Sequence, residues 1–104
     1  VDSALEKLHG KKKEDIYFNT NMQFTLNSLG YDLLYNDKEV DKAIKLFEFA
    51  TKEYPKNANL FDSLAEAYFV NKDYKKAILN YKKSLKLNPN NENAKKQISE
   101  INKF

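Results

Sequence analysis

Apolar residues recur along most of this chain at spacings of three and four, the period that places one stripe on a helix. Over residues 58–70 the stripe is Leu60, Phe61, Leu64, Ala65, Tyr68 and Phe69, and Asn57 ahead of it is a good N-cap. Asn71, Lys72 and Asp73 break the stripe, and Asp73 or its neighbour caps the next helix. The stripe resumes over 74–87 as Tyr74, Ala77, Ile78, Tyr81, Leu85 and Leu87. Asn88-Pro89 ends that helix, because the residue before a proline is driven out of the α region. An earlier pair has the same plan. Residues 21–35 carry Phe24, Leu26, Leu29, Leu33 and Leu34, and residues 40–54 carry Val40, Ala43, Ile44, Phe47 and Ala50 before Pro55. Residues 90–104 predict one last helix, capped by Asn91, with a narrow stripe of Ala94, Ile98 and Ile101.

The two pairs are copies. Pro55 and Pro89 stand 34 residues apart, and Ala43, Phe47 and Ala50 line up with Ala77, Tyr81 and Ser84. Upstream, Leu29-Gly30 lines up with Leu64-Ala65 and Leu33 with Tyr68. A fixed period of this length predicts helical hairpins that bury their apolar faces only by stacking. Gly30 to Ala43 spans 13 positions where Ala65 to Ala77 spans 12. The first turn therefore carries one extra residue, around Asn36-Asp37, expected in the loop with neither helix disturbed. The division predicted is an extension or linker over 1–20, hairpins over 21–56 and 57–90, and a capping helix over 91–104. Within 1–20, Val1, Leu5 and Leu8 share a helical face, which Gly10 and Lys11-Lys12-Lys13 interrupt. Ile16-Tyr17-Phe18 is then expected as an extended segment packed on the first hairpin, with the torn end of a preceding domain as the alternative. The chain begins at Val1 without a Met, so both a free protein and a piece of a longer one stay open.

A length of 104 residues supports one small domain, and only two glycines and two prolines favour an all-α fold. No apolar run nears the roughly 20 residues that cross a bilayer. Zero cysteines exclude a disulfide framework and thiolate metal sites. The net charge is +3, and all 18 basic residues are lysine. The absence of arginine, the residue of bidentate phosphate and base-edge contacts, argues against specific nucleic-acid recognition. Nonspecific binding of a polyanion stays a rival, although lysines interleaved with carboxylates read first as a solvated helix surface. Catalytic signals are weak. His9 is the only histidine and sits beside Gly10 and the lysine run, while Gly10 and Gly30 are too isolated to form a phosphate loop. Asp62 and Glu66 lie one turn apart, but a lone carboxylate pair falls short of the six to eight oxygens that Ca²⁺ takes. No catalytic site, metal or cofactor is expected.

The repeated residues resemble the tetratricopeptide repeat. The second hairpin carries the family's pattern without a gap as Phe61, Leu64-Ala65, Tyr68, Ala77, Tyr81, Ser84 and Pro89. The first carries it as Leu26, Leu29-Gly30, Leu33, Ala43, Phe47, Ala50 and Pro55. The resemblance implies an α-solenoid of two hairpins with a C-terminal cap, in which Gly30 faces Ala43, and Ala65 faces Ala77, where helices cross closely. It further implies a non-catalytic interaction module that takes a peptide or an adjacent domain in a concave groove. The groove positions carried over are Asn27, Tyr31 and Tyr35 from the first hairpin and Asn59, Asp62, Glu66 and Phe69 from the second. Asp62 and Glu66 would favour a basic partner and repel an acidic one. They also argue against the lysine-lined clamp that some members use for acidic tails. A looser resemblance joins Leu26 to Leu34, Tyr54-Pro55 and Asp62 to Tyr68 to the repeat tail of bacterial β-lactamase-like or esterase-like serine hydrolases. It implies a structural or dimerising appendage as the alternative role. Two repeats fall short of the three or more usual for stability. The missing interface is therefore expected from the N-terminal segment, a neighbouring domain or a second copy of the chain (a homodimer), with Phe18, Phe24 and Phe104 the aromatics whose exposure would mark it.

Overall fold

The computed structural model describes residues 14–104. Its helices are α1 (Glu14–Tyr31), α2 (Val40–Glu53), α3 (Ala58–Val70), α4 (Tyr74–Leu87) and α5 (Glu92–Ile101), with no strand among the described residues. A π-helical turn, Asp32–Asn36, prolongs α1. The helices pack in chain order, so α3 lies between α2 and α4 and α5 closes on α4; α1 also reaches α3 directly. The fold is an all-α stack of helical hairpins.

Short polar side chains set the helix starts. The Oδ1 atoms of Asn57, Asp73 and Asn91 accept from the backbone N–H of Leu60, Lys76 and Ala94 at 3.1, 3.3 and 3.1 Å. Each satisfies one of the donors a helix N-terminus leaves orphaned. α2 is the exception. Glu39 stands where Asp73 stands in the second hairpin, in nearly the same backbone conformation (φ −103°, ψ 74° against −90°, 76°), yet makes no capping bond. Its extra methylene carries the carboxylate past the N–H groups, and it pairs with Lys42 at 3.1 Å instead.

The extra residue of the first hairpin does not sit in the loop. Both turns keep a lysine at positive φ, Lys38 at 54° and Lys72 at 65°. Both are closed by equivalent bonds, Glu39 N–H to Leu33 O at 2.8 Å and Asp73 N–H to Tyr68 O at 2.9 Å. With the loop fixed, the added residue goes into the end of the helix. Asp37 N–H bonds back five residues to Asp32 O, where Asn71 bonds back four to Ala67 O. The helix widens locally into a π-type turn to take the insertion.

The core runs through both hairpins: Leu34, Ala43, Ile44, Phe47, Leu64, Ala65, Tyr68, Ala77 and Tyr81 join Ala94 and Ile101 of the cap. A second cluster of Leu26, Ala50, Tyr54 and Leu60 closes the other end of the first hairpin. Two further sequence expectations need correction. α1 starts at Glu14, ahead of the expected 21, so Ile16-Tyr17-Phe18 is helical and not extended. Leu29, 48% exposed, is not core, while Phe24 is exposed at 74%. Leu64, the counterpart of Leu29, is buried because α3 is packed between two other helices, whereas α1 lies at the end of the described stack. At Gly30 the ring of Phe47 takes the space a side chain would need: a Cβ built there would lie 2.1 Å from Phe47 Cζ. The face expected for Val1, Leu5 and Leu8, and His9 with it, lies outside the described residues.

These contacts can be tested through stability. Phe47 is fully buried and has no room to retreat. Gly30→Ala should therefore lose about 1–2 kcal/mol, overpacking outweighing the gain in helix propensity. Urea denaturation in a Phe47→Leu background should show a much smaller loss. Glu39→Asp, by contrast, should supply the missing cap and gain about 0.5–1 kcal/mol, read as a higher melting midpoint, because the exposed Lys42 pair it gives up is worth little.

Candidate functional site

Gln23, Asn27, Tyr31 and Tyr35 recur every four residues and turn toward α3. Asn57 Nδ2 donates to Gln23 Oε1 at 2.7 Å, and Ser63 Oγ donates to Asn27 Oδ1. Tyr31 donates to Glu66 Oε1 at 3.0 Å, and Tyr35 donates to Glu66 Oε2. The two tyrosine rings stack with centroids 6.1 Å apart and 6° between planes. Tyr35 lies within the π-helical turn, whose wider winding lets both hydroxyls meet one carboxylate. The seam continues to the cap: Asn91 and Asn93 donate to the two oxygens of Asp62 at 3.4 and 3.0 Å. Asn91 also donates to Ser84 Oγ, which in turn donates to Ala58 O, each at 2.9 Å.

The seven groove positions read from the sequence fall into three places. Asn27 and Asn59 line a cleft of about 190 Å³ with Gln23, Phe24, Asn57 and Leu60. Tyr35, Glu66 and Phe69 line another of about 300 Å³, between α3 and α5. Tyr31 and Asp62 lie between, held in the hydrogen bonds above. Phe69 has a second occupation: its ring sits 5.6 Å from Tyr74 and 6.3 Å from Phe104. Sequence reading missed the remaining walls of the larger cleft, among them Tyr81, Asn93 and Gln97. One signal was present, since Tyr81 places a hydroxyl where its counterpart Phe47 has none.

The face is acidic and uncompensated. No lysine among the described residues lies within ion-pair distance of Asp62 or Glu66; the pairs that form are exposed contacts three residues apart, as at Lys95–Glu92. Burial pushes the Asp62 carboxyl above its usual range, against the two amide donors that lower it. Burial likewise pushes the Tyr31, Tyr35 and Tyr81 hydroxyls up, with Glu66 adding to each. These tyrosines are neutral donors at physiological pH. Among the described residues no cluster of three His, Asp or Glu side chains is placed to hold a metal, and no helix is long and apolar enough to cross a membrane.

No curated protein matches the chain. Residues 63–91, most of α3, all of α4 and the turn into the cap, match the tetratricopeptide repeat family. Such repeats generally mediate protein–protein interactions, on a fold that is typically non-catalytic. The 34-residue period, the stacked hairpins and this match together identify the chain as carrying a tetratricopeptide repeat domain.

Proposed function

We propose that the chain is a non-catalytic interaction module, with repeats over 21–56 and 57–90 and a cap over 91–104. It binds a basic, extended peptide or the edge of an adjacent domain along the face built by α1, α3 and the start of α5. The observation that carries this reading is the pair Asp62 and Glu66. In a chain with 18 lysines, neither carboxylate is given a cation, and Asp62 is held where burial disfavours its charged form. Charge left uncompensated at a cost to the fold is a mark of a functional surface. Asn27 and Asn59 offer amides to a peptide backbone, and Tyr31, Tyr35 and Phe69 supply rigid contact area at small entropic cost. The lysines of α4 are a weaker basis for function. They are solvated, and two of them lie over rings of their own chain, Lys76 on Tyr68 at 5.5 Å and Lys83 on Phe61 at 5.8 Å.

The cost at Asp62 is itself measurable. The folded state holds this proton more tightly than the unfolded chain does, so the neutral acid stabilises the fold at low pH. That contribution is lost as pH rises through the raised value. Asp62→Asn should therefore raise the melting midpoint at pH 7 and change it little near pH 3. A lower midpoint at pH 7 would mean that the Asn91 and Asn93 bonds outweigh burial.

Binding is tested with an array of unrelated twelve-residue peptides of basic, neutral and acidic composition. The wild-type chain should retain the basic ones, and Asp62→Asn with Glu66→Gln should weaken them about tenfold or more. Retention indifferent to the double substitution, or preference for acidic peptides, would overturn the reading.

A further inference from the structure

Resting on that reading of the face, we propose that the cleft between α3 and α5 is an anchor site for a single lysine or arginine side chain of the partner. The pointer is Tyr81. It is 2% exposed, it lines the cleft, and its hydroxyl has no hydrogen-bond partner among the described residues. A buried hydroxyl left unpaired costs stability. Packing does not require it, because Phe47 occupies the equivalent position in the first hairpin, fully buried and without a hydroxyl. The second hairpin thus keeps a polar atom that its own fold does not satisfy, at the wall of an open cleft.

The groups around that atom fix the ligand class. Glu66 forms one side, and Tyr31 and Tyr35 take one lone pair from each of its oxygens, which leaves further acceptor capacity on both. Asn93 and Gln97, from the cap, bring amide carbonyls. The rings of Tyr35 and Phe69 form apolar walls that also attract cations. An ammonium has three donors and no acceptor, and a guanidinium five donors; both suit a carboxylate, a phenol oxygen and amide oxygens. A carboxylate ligand would meet Glu66 and the nearby Asp62. A purely apolar side chain would strip water from Glu66 and leave Tyr81 still unpaired. The volume, about 300 Å³, holds one long side chain and not a folded segment.

The test titrates the isotopically labelled chain with N-acetyl-lysine N-methylamide, N-acetyl-arginine N-methylamide and the uncharged N-acetyl-norleucine N-methylamide, following amide chemical shifts. Saturable shifts at Glu66, Asn93 and Gln97 are expected with the lysine or arginine compound and not with norleucine. Glu66→Gln should weaken binding roughly tenfold and Tyr81→Phe about threefold, in proportion to a charged and a neutral hydrogen bond. Tyr81→Phe loses no internal bond, so its melting midpoint should hold or rise, which separates a binding defect from a folding one. Equal shifts with norleucine, or cation binding that survives both substitutions, would overturn the anchor. If the cationic compounds fail while array peptides still bind and are weakened by Asn27→Ala or Asn59→Ala, the anchor falls and the peptide-binding face stands. If no peptide shifts any residue of the face, both fall.

Discussion

One carboxylate holds the first hairpin to the second on the acidic face. Glu66 accepts from Tyr31 and Tyr35 at once, and that pair of bonds fixes two stacked rings, the angle of α1 against α3 and one wall of the larger cleft. The apolar core beneath makes the hairpins adhere, since burial of Phe47, Leu64 and Tyr81 is non-directional and tolerates sliding. Hydrogen bonds are directional, so the seam from Gln23–Asn57 through Asn27–Ser63 to Glu66 selects one register among those the core would allow. The arrangement depends on the π-helical turn. A regular α-helix would rotate Tyr35 away from Tyr31 by about 40° after four residues; the wider turn brings the rings back into line.

The charge distribution follows from the same layout. α3 carries Asp62 and Glu66 and no basic residue, while α4 carries Lys75, Lys76, Lys82, Lys83 and Lys86 and no acidic one. Pairing these two helices internally would have neutralised both. Instead the lysines stand on the outer side and the carboxylates on the inner side. The two signs of charge are therefore separated between α3 and α4, and on the binding reading proposed above this separation steers a basic segment toward the acidic face. Such steering governs encounter rate and orientation more than final affinity.

Much of the fold was legible in the sequence because its signals are local. The 34-residue period, the prolines and the caps at Asn57, Asp73 and Asn91 each rest on a few adjacent residues whose chemistry leaves few alternatives. The expectations that failed depended on distant partners. Periodicity reports an extra residue between Gly30 and Ala43 but cannot say whether loop or helix takes it; here the positive-φ lysine and the closing bond held the loop constant. Leu29 and Leu64 are the same letter at the same repeat position, and only the neighbours of α1 and α3 decide which is buried. The site was half legible for a similar reason. Tyr35, Glu66 and Phe69 lie on the element that the repeat pattern marks as the inner one. Asn93 and Gln97 lie on a capping helix whose polar side looks like any solvated surface, and Tyr81 looks like core.

The position of that cleft follows from how a short stack ends. In an extended array the inner helix of each repeat is flanked by the inner helix of the next, and small gaps between them are closed by side chains in register. Here α3 meets α1 on one side, where Asn27, Tyr31 and Tyr35 bond directly to its Ser63 and Glu66. On the other side lies α5, a ten-residue helix that buries only Ala94 and Ile101. A helix that thin covers the core without filling the space above Glu66, and the amides of Asn91 and Asn93 reach across to Asp62 instead. The end of the stack therefore combines a partly buried acidic residue, an open volume and an unsatisfied hydroxyl, a combination absent from the α1–α3 seam, where Tyr31 and Tyr35 both donate to Glu66 and Ser63 donates to Asn27.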